Sequence, residues 1–474
     1  MGRYIMNKFA ALLGVMVLLI PAQAQAHAHL TRSLPADAAH VDVSPSVIRL
    51  WFSESPEVAM TFARLTDAGG KEYSLGPGVR DASNSLEISF AVPVTLEAGK
   101  YSLMWRTAAS DGHPSRGKIS FVVAPAPALA TVQPSGAAVL PPASTGSVVP
   151  RGVPAPIEPA QVEETPVDTD EAASPANAIA RAMLFAGILG LLGTIAFSTI
   201  VLRRAVDVAG SSEELMMRRA AIFGIAAAMV VLIAGVIRLY LELQMMNAMP
   251  DMPGMKGMGS GDMVMHTAWG FAFRIQMASA VLAVVALFMA SRGMRNAWYI
   301  AALAGLALAI APALGGHAAA SPRFTAMLVA TDWLHVIAGS TWLGSLLLVM
   351  VVGVPVALSL EGSNRWTSVA SLVNAFSPLA LVSAAVLSAT GVFAGWVHLG
   401  RVSALWETGY GQTLLVKLAL VALTFVVGAY NFRSVQPRLT EETGTKRLRR
   451  SASVELTIGA LIILATGVLT GIAP

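Results

Sequence analysis

From Ala178 to Leu202 the chain reads AIARAMLFAGILGLLGTIAFSTIVL, with Arg181 as its single charge. A run of this length and composition crosses a hydrocarbon layer of roughly 30 Å as a helix. It decides the fold because seven further stretches of the same kind follow, at approximately 219–242, 267–290, 297–316, 325–352, 371–397, 411–431 and 453–472. Several hold Gly and Pro, which membrane helices tolerate when neighbouring helices and side chains satisfy the freed backbone groups. Residues 176–474 are therefore predicted to form an all-α polytopic bundle of eight transmembrane helices.

Composition agrees. Hydrophobic residues make up 55% of the 474 and charged residues 13%, against about a quarter charged in soluble proteins. The net charge of +4 is spread over short basic clusters between apolar runs. That pattern suits loops at an anionic leaflet and argues against a nucleic-acid partner. There is no cysteine, which excludes disulfides, thiolate metal sites and cysteine nucleophiles. Any metal must then be held by His, Met, carboxylate or backbone, and there are 22 Met. No ATPase P-loop is present, so primary pumping is not expected, and the protein is read as a non-enzyme.

Residues 1–26 read as a secretory signal peptide: Arg3 and Lys8, the apolar run Phe9–Ile20, and the cleavage pattern Ala24-Gln25-Ala26. The alternative is an uncleaved anchor helix. Cleavage after Ala26 makes His27 the first residue and puts the next segment outside. Lys and Arg agree with this orientation. Arg203, Arg204, Arg218 and Arg219 follow the first helix, Arg292 and Arg295 the third, and Arg365 the fifth. Arg433, Arg438, Lys446, Arg447, Arg449 and Arg450 follow the seventh.

Residues 27–124 alternate with period two over Val47–Phe52, Val58–Leu65, Leu86–Phe90, Tyr101–Thr107 and Lys118–Val123. Turn signals such as Asp67-Ala68-Gly69-Gly70 separate them, predicting a small all-β sandwich or barrel. Residues 125–175, rich in Pro, Ala, Val and Ser, have neither period and read as a linker.

Candidate ligands fall in both halves. A terminal His27 offers an α-amine and Nδ1 to one metal ion, a nitrogen set that suits tetragonal Cu(II). Asp111-Gly112-His113 adds a carboxylate and an imidazole, and Glu54 is a further candidate carboxylate. Two alternatives stand. His27-Ala28-His29 can itself wrap Cu(II) through deprotonated amides with His29 as ligand, or Asp111 and His113 are surface loop residues only. In the membrane half, His266, His317, His335 and His398 all fall at or near the outer side. Asp332 and His335, three apart, share a helix face; a hydrogen bond that merely joins helices is the alternative reading. The second outer loop carries Met249, Met252, Met255 and Met258, flanked by Met245, Met246, Met263 and Met265 and interleaved with Gly. Thioethers suit Cu(I); the alternative is apolar filler near the interface. Arg238 and Glu242 are spaced to pair, Arg274 and Lys417 to snorkel, and Glu455 is a further intramembrane charge.

His27-Ala28-His29-Leu30, Phe52-Ser53-Glu54, Trp105-Arg106 and Ser110-Asp111-Gly112-His113 resemble the CopC family of periplasmic copper proteins. The resemblance implies a Greek-key β-sandwich or barrel that binds Cu(II) through His27, Asp111 and His113. The Met-rich Cu(I) site of some members is not expected, since Met60 and Met104 are the only Met here. The membrane half resembles the CopD family. The matching stretches are Trp269-Gly270 with Arg274, Gly316-His317-Ala318, Asp332-Trp333-Leu334-His335 with Trp342-Leu343-Gly344, Phe376-Ser377-Pro378, Thr390-Gly391, Tyr410-Gly411 with Lys417, and Asn431. Together they resemble the CopC–CopD fusions. They imply a multi-pass bacterial inner-membrane protein with a periplasmic N-terminal domain, handling copper ions and meeting other periplasmic copper carriers. Capture of Cu(II) and passage inward is the expected function. His317, His335, His398 and Asp332 are the expected membrane ligands, for Cu(I) or Cu(II). The alternatives are a membrane redox protein with non-covalent haem on the outer His residues, which a Soret band would mark, and a copper sensor or resistance scaffold without flux.

Overall fold

The computed structural model describes residues 29–109, 114–125, 174–205, 208, 210–247, 260–321, 324–361 and 364–472. These form two compact units, one holding strand residues 30–107 and 116–123 and the other the long helices.

The β-unit contains β1 (Leu30–Leu34), β2 (Ala39–Val41), β3 (Val47–Phe52), β4 (Phe62–Asp67), β5 (Glu72–Tyr73), β6 (Val79–Arg80), β7 (Glu87–Ala91), β8 (Gly99–Ala108) and β9 (Pro114–Val123). One sheet has the order β1-β3-β7-β6 and the other β2-β9-β8-β4-β5. β2 lies parallel to β9, whereas β1–β3, β3–β7 and β4–β8 are antiparallel. This is the predicted sandwich. Its core comes from the period-two alternation: Ile48, Leu50 and Phe52 of β3, Leu103 and Trp105 of β8, and Ile119 and Phe121 of β9 are all buried. The Phe52 and Trp105 rings meet in a T-shaped arrangement at 5.3 Å between centroids. Gly117 on β9 is required beneath that indole, because a Cβ there would stand 2.5 Å from Trp105 Cζ2. The predicted strand 58–65 is corrected: Val58–Met60 forms a 3₁₀ turn and the strand starts only at Phe62. Thr61 closes that turn, its hydroxyl bonding the Glu57 carbonyl at 2.6 Å. The short strands β1, β2, β5 and β6 were not read from the sequence.

The helical unit has eight helices long and apolar enough to cross a membrane. They are α1 (Pro175–Arg204), α2 (Ser212–Met245), α3 (Ala268–Ser291), α4 (Ala297–Leu314), α5 (Thr325–Leu358), α6 (Asn364–Leu399), α7 (Gly409–Arg438) and α8 (Glu442–Leu469). Side-chain caps start three of them: Ser174, Thr267 and Thr408 accept from the backbone N–H of Asn177, Gly270 and Gly411. Leu303, Leu381, Val392 and Val426 are exposed on the outside of the bundle, as expected of surfaces solvated by lipid rather than water. Short helices at Ser260–His266, His317–Ala320 and Ala404–Glu407 precede α3, α5 and α7. His317, expected as the end of the fourth helix, instead opens the second of these after the chain bends at Gly315–Gly316.

α1 lies at the centre, packed against α2, α4, α5 and α8. It meets α5 glycine on glycine. A Cβ on Gly193 would fall 2.3 Å from the Gly344 carbonyl carbon, and one on Gly344 would fall 2.2 Å from the Leu189 oxygen. Small residues allow such backbone approach in membranes. Gly344 closes a π-helical turn, Ser340–Gly344, so the approach coincides with an irregularity in α5. Gly344→Ala should lower the stability of the detergent-solubilised protein by about 1–3 kcal/mol, the usual cost of overpacking. Gly395→Ala, with nothing within 4 Å of its added methyl, should leave the thermal midpoint unchanged. Equal midpoints for both variants would contradict the crossing.

Candidate metal site

His27, Asp111 and His113 lie outside the described residues; the chain that flanks them does not. Leu30, the first residue of β1, pairs with Phe52, the last of β3. His29 N donates to Ser53 Oγ at 3.0 Å, and Ser53 N returns a bond to the His29 carbonyl at 2.8 Å. Half-buried Glu54 is the next residue. The Phe52–Trp105 contact brings the end of β8 to the same end of the sandwich, and the Thr107 and Thr61 hydroxyls bond there at 2.7 Å. The start of β1, Glu54, and the strand that leads into Ser110–His113 thus converge. Away from this end, Asp67 is held below the usual carboxylate range, mainly by the backbone N–H of Lys71. Burial pushes the Tyr101 hydroxyl up to about 12. Neither group belongs to the candidate site.

In the helical unit the four sequence candidates are neighbours. His335 on α5 bonds through Nδ1 to Thr390 Oγ1 on α6 at 2.9 Å. The Thr390 hydroxyl also bonds the Val386 carbonyl at 2.7 Å. A hydroxyl has one proton, and a carbonyl can only accept, so that proton goes to Val386. Oγ1 is therefore the acceptor for the His335 Nδ1–H. The neutral ring then keeps its lone pair on Nε2, which is how an outer hydrogen bond sets the tautomer of a metal-binding imidazole. His317 is fixed similarly: Nε2–H donates to the Ile472 carbonyl at 3.2 Å, leaving the lone pair on Nδ1. His398, near the end of α6, lies 6.3 Å from the Tyr410 ring at the start of α7. Ala394, one turn back, offers a backbone group. Among the described residues, however, neither ring nitrogen of His398 makes a hydrogen bond of good geometry, although both are buried.

Charge ties these groups together. Lys417 on α7 and His317 are the electrostatic neighbours of Asp332. Lys417 also acts on His335, His317 on His398, and Asp332 on Tyr410. The expectation that Lys417 snorkels outward is thus corrected: it is half-buried beside Asp332. Exposed Arg274 does turn outward, over Phe271 at 5.8 Å. The Arg238–Glu242 neighbourhood gains Arg181 from α1. Among the described residues no three His, Asp or Glu converge closely enough to cage a metal ion. The candidates thus do not form one closed site among the described residues. Met249, Met252, Met255 and Met258 lie outside the described residues. Of their flanks, Met245 and Met263 are buried, Met245 Sδ accepting from Asn177 at 3.6 Å. Sequence reasoning missed Thr390 and Tyr410 as site residues, although both stand in stretches that carried the resemblance.

A β-sandwich followed by eight helices long and apolar enough to cross a membrane defines a multi-pass membrane protein with an appended β-domain. Comparison with known proteins narrows this. The family model for the CopC domain matches residues 30–124, that for the copper resistance protein D-like N-terminal domain residues 170–322, and that for copper resistance protein D residues 370–469. The chain belongs to the CopC family through its β-domain, and the same polypeptide carries the matches to both CopD models in its helical part. It is 24% identical over 483 aligned residues to the copper transport protein CutJ of Bacillus subtilis, covering 98% of this chain and 78% of that protein. It is 34% identical to copper resistance protein C of Escherichia coli, over 25% of this chain and 98% of the relative. The crystal structure of CopC from Methylosinus trichosporium OB3b is 30% identical, covers 22% of this chain and 99% of that one, and has a TM-score of 0.21.

Asp332 and Lys417 supply the direct stability test. Lys417→Met and Asp332→Asn should each destabilise the bundle, and the double variant should lose less than the sum, by about 0.5–3 kcal/mol. Additive losses in thermal unfolding would show that the two charges do not interact.

Proposed function

We propose that this protein captures Cu(II) outside the inner membrane of a bacterium and passes copper inward through its helical domain. The observation that carries the reading is the set of imidazoles at one end of the bundle, with His335 held by Thr390 so that Nε2 is presented as a ligand. Copper-handling function in the family supports it. In the β-domain, His27, Asp111 and His113 hold Cu(II), with Glu54 as a further carboxylate. The amine, imidazole and carboxylate donors suit a tetragonal ion. The segment of residues 125–175 tethers that domain to the bundle and keeps its effective concentration there high. The loop with Met249, Met252, Met255 and Met258 takes copper as Cu(I), for which thioether is the softer ligand, once a one-electron reductant outside this chain has reduced the Cu(II) that the β-domain releases. His317, His398, Asp332 and His335 then receive it in turn.

Passage requires sites that bind firmly enough to be entered and loosely enough to be left, and a series of incomplete sites meets that need better than a four-ligand cage. The bundle lies in the inner membrane with the β-domain in the periplasm. Copper ions, the bilayer and other periplasmic copper carriers are its partners. The protein moves its cargo and transforms no substrate.

The capture step is tested by Cu(II) titration of the processed chain followed by electron paramagnetic resonance. One added residue before His27, or His113→Ala, should each abolish the tight tetragonal signal. A signal untouched by both changes would reject the terminal-amine site and the capture role built on it.

A further inference from the structure

A second polar centre lies deeper in the bundle, where the copper pathway leaves it unused. Glu455, midway along α8, is a carboxyl with 4% of its surface exposed. Asn431 on α7 donates to it, Nδ2 to Oε2, at 3.1 Å. Trp342 on α5 is its other hydrogen-bonding neighbour. Its position, seven residues beyond His335 on α5, places that indole about 10 Å further along the helix than the imidazole. Trp342 is itself fixed by stacking on Phe425 at 5.6 Å. Both partners sit in π-helical turns, Ser340–Gly344 and Asn431–Val435. Such turns recur at functional sites because they re-aim side chains within a helix.

Two features give the ligand. First, no cation faces the carboxyl. The helices packed on α8 are α1, α5, α6 and α7. Arg181 on α1, Asp332 and His335 on α5, His398 on α6, and Lys417 and Arg433 on α7 are all absent from its electrostatic neighbours among the described residues, which are Trp342 and Asn431 alone. On α8 itself, Arg449 and Arg450 are exposed and likewise do not act on it. Ionised groups inside a membrane domain normally have a partner or mark an ion path. Second, Asn431 Oδ1 is buried and has no hydrogen-bond donor among the described residues. An amide can bond a carboxyl reciprocally, giving N–H to one oxygen and accepting O–H from the other, but only when the carboxyl carries its proton. The orphaned oxygen is the acceptor that a protonated Glu455 would fill.

We propose that Glu455, with Asn431 and Trp342, is a proton-binding site of the membrane domain, and that its proton is exchanged as copper crosses. The proton comes from water and joins one carboxyl oxygen, whose O–H donates to Asn431 Oδ1. On release it returns to water, that hydrogen bond is lost, the carboxylate keeps the Asn431 and Trp342 donors, and no other covalent bond is made or broken. The site stands on its own geometry; the exchange during copper movement rests on the transport reading above.

The test uses the full chain in lipid vesicles and Glu455→Gln, which keeps the side-chain size and the acceptor for Asn431. Infrared difference spectra taken across a pH titration should show the carbonyl band of a protonated, buried carboxyl in the unaltered protein and its loss in Glu455→Gln. Copper entry into the same vesicles should change several-fold with an imposed pH gradient, and Glu455→Gln should remove that dependence while copper loading of the β-domain stays the same. An unchanged infrared band in Glu455→Gln would overturn the proposal, as would a persisting pH-gradient dependence or a dependence on sodium instead. If the unaltered protein carries no copper at all, the transport reading fails and the infrared band alone decides the proton site.

Discussion

The membrane domain depends on the place where α1 and α5 touch backbone to backbone. Gly193 and Gly344 leave no room for a Cβ on either side, so α5 is held against the central helix at one fixed point. Everything chemical on α5 is measured from there. Trp342, two residues before Gly344, turns toward Phe425 and Glu455. His335 and Asp332, two to three turns back, turn toward Thr390 and Lys417. Because hydrophobicity does not drive helices together in lipid, close packing of this kind must do so.

The candidate copper groups and the Glu455 centre accordingly form two separate tiers. The first joins Asp332, His335, His317, His398, Tyr410 and Lys417, drawn from α5 to α7 and the segment before α5. The second joins Glu455, Asn431 and Trp342. In the first, opposite charges face each other and two imidazoles have their tautomers set by outer hydrogen bonds. In the second, a carboxyl faces neutral donors only. Truncating one member of a buried charged pair strands the other at a cost of several kcal/mol. The two tiers therefore respond differently to substitution: the first through its charge balance, the second through the protonation of a single group.

Much of this was legible in the sequence, and the gaps have physical causes. All eight spans were found because an apolar run long enough to cross a bilayer has few other uses. Their ends were not: α6 begins at Asn364 rather than 371 and α8 at Glu442 rather than 453, because a helix continues into polar residues once nucleated and hydropathy stops reporting it. Strand β3 was read at its true bounds, since Val47–Phe52 alternates cleanly. The 3₁₀ turn at Val58–Met60 was hidden within an apolar run that looked like more strand. Asp332 with His335 follows from helix spacing. Nothing local distinguishes Lys417, which turns inward, from Arg274, which turns out; the packing of α7 decides it. The Glu455–Asn431 bond joins two helices with no spacing rule between them, so only the fold reveals it.

The central claim is that copper crosses by way of the imidazoles on α5 and α6. Its most direct test is copper accumulation in sealed vesicles containing the purified full-length chain, measured beside His335→Ala of equal thermal stability and orientation. The account predicts copper entry with the unaltered protein and its loss in the variant, with Cu(II) still bound by the β-domain of both. Equal entry in the two would show that copper does not pass His335 and would contradict the pathway described for the bundle.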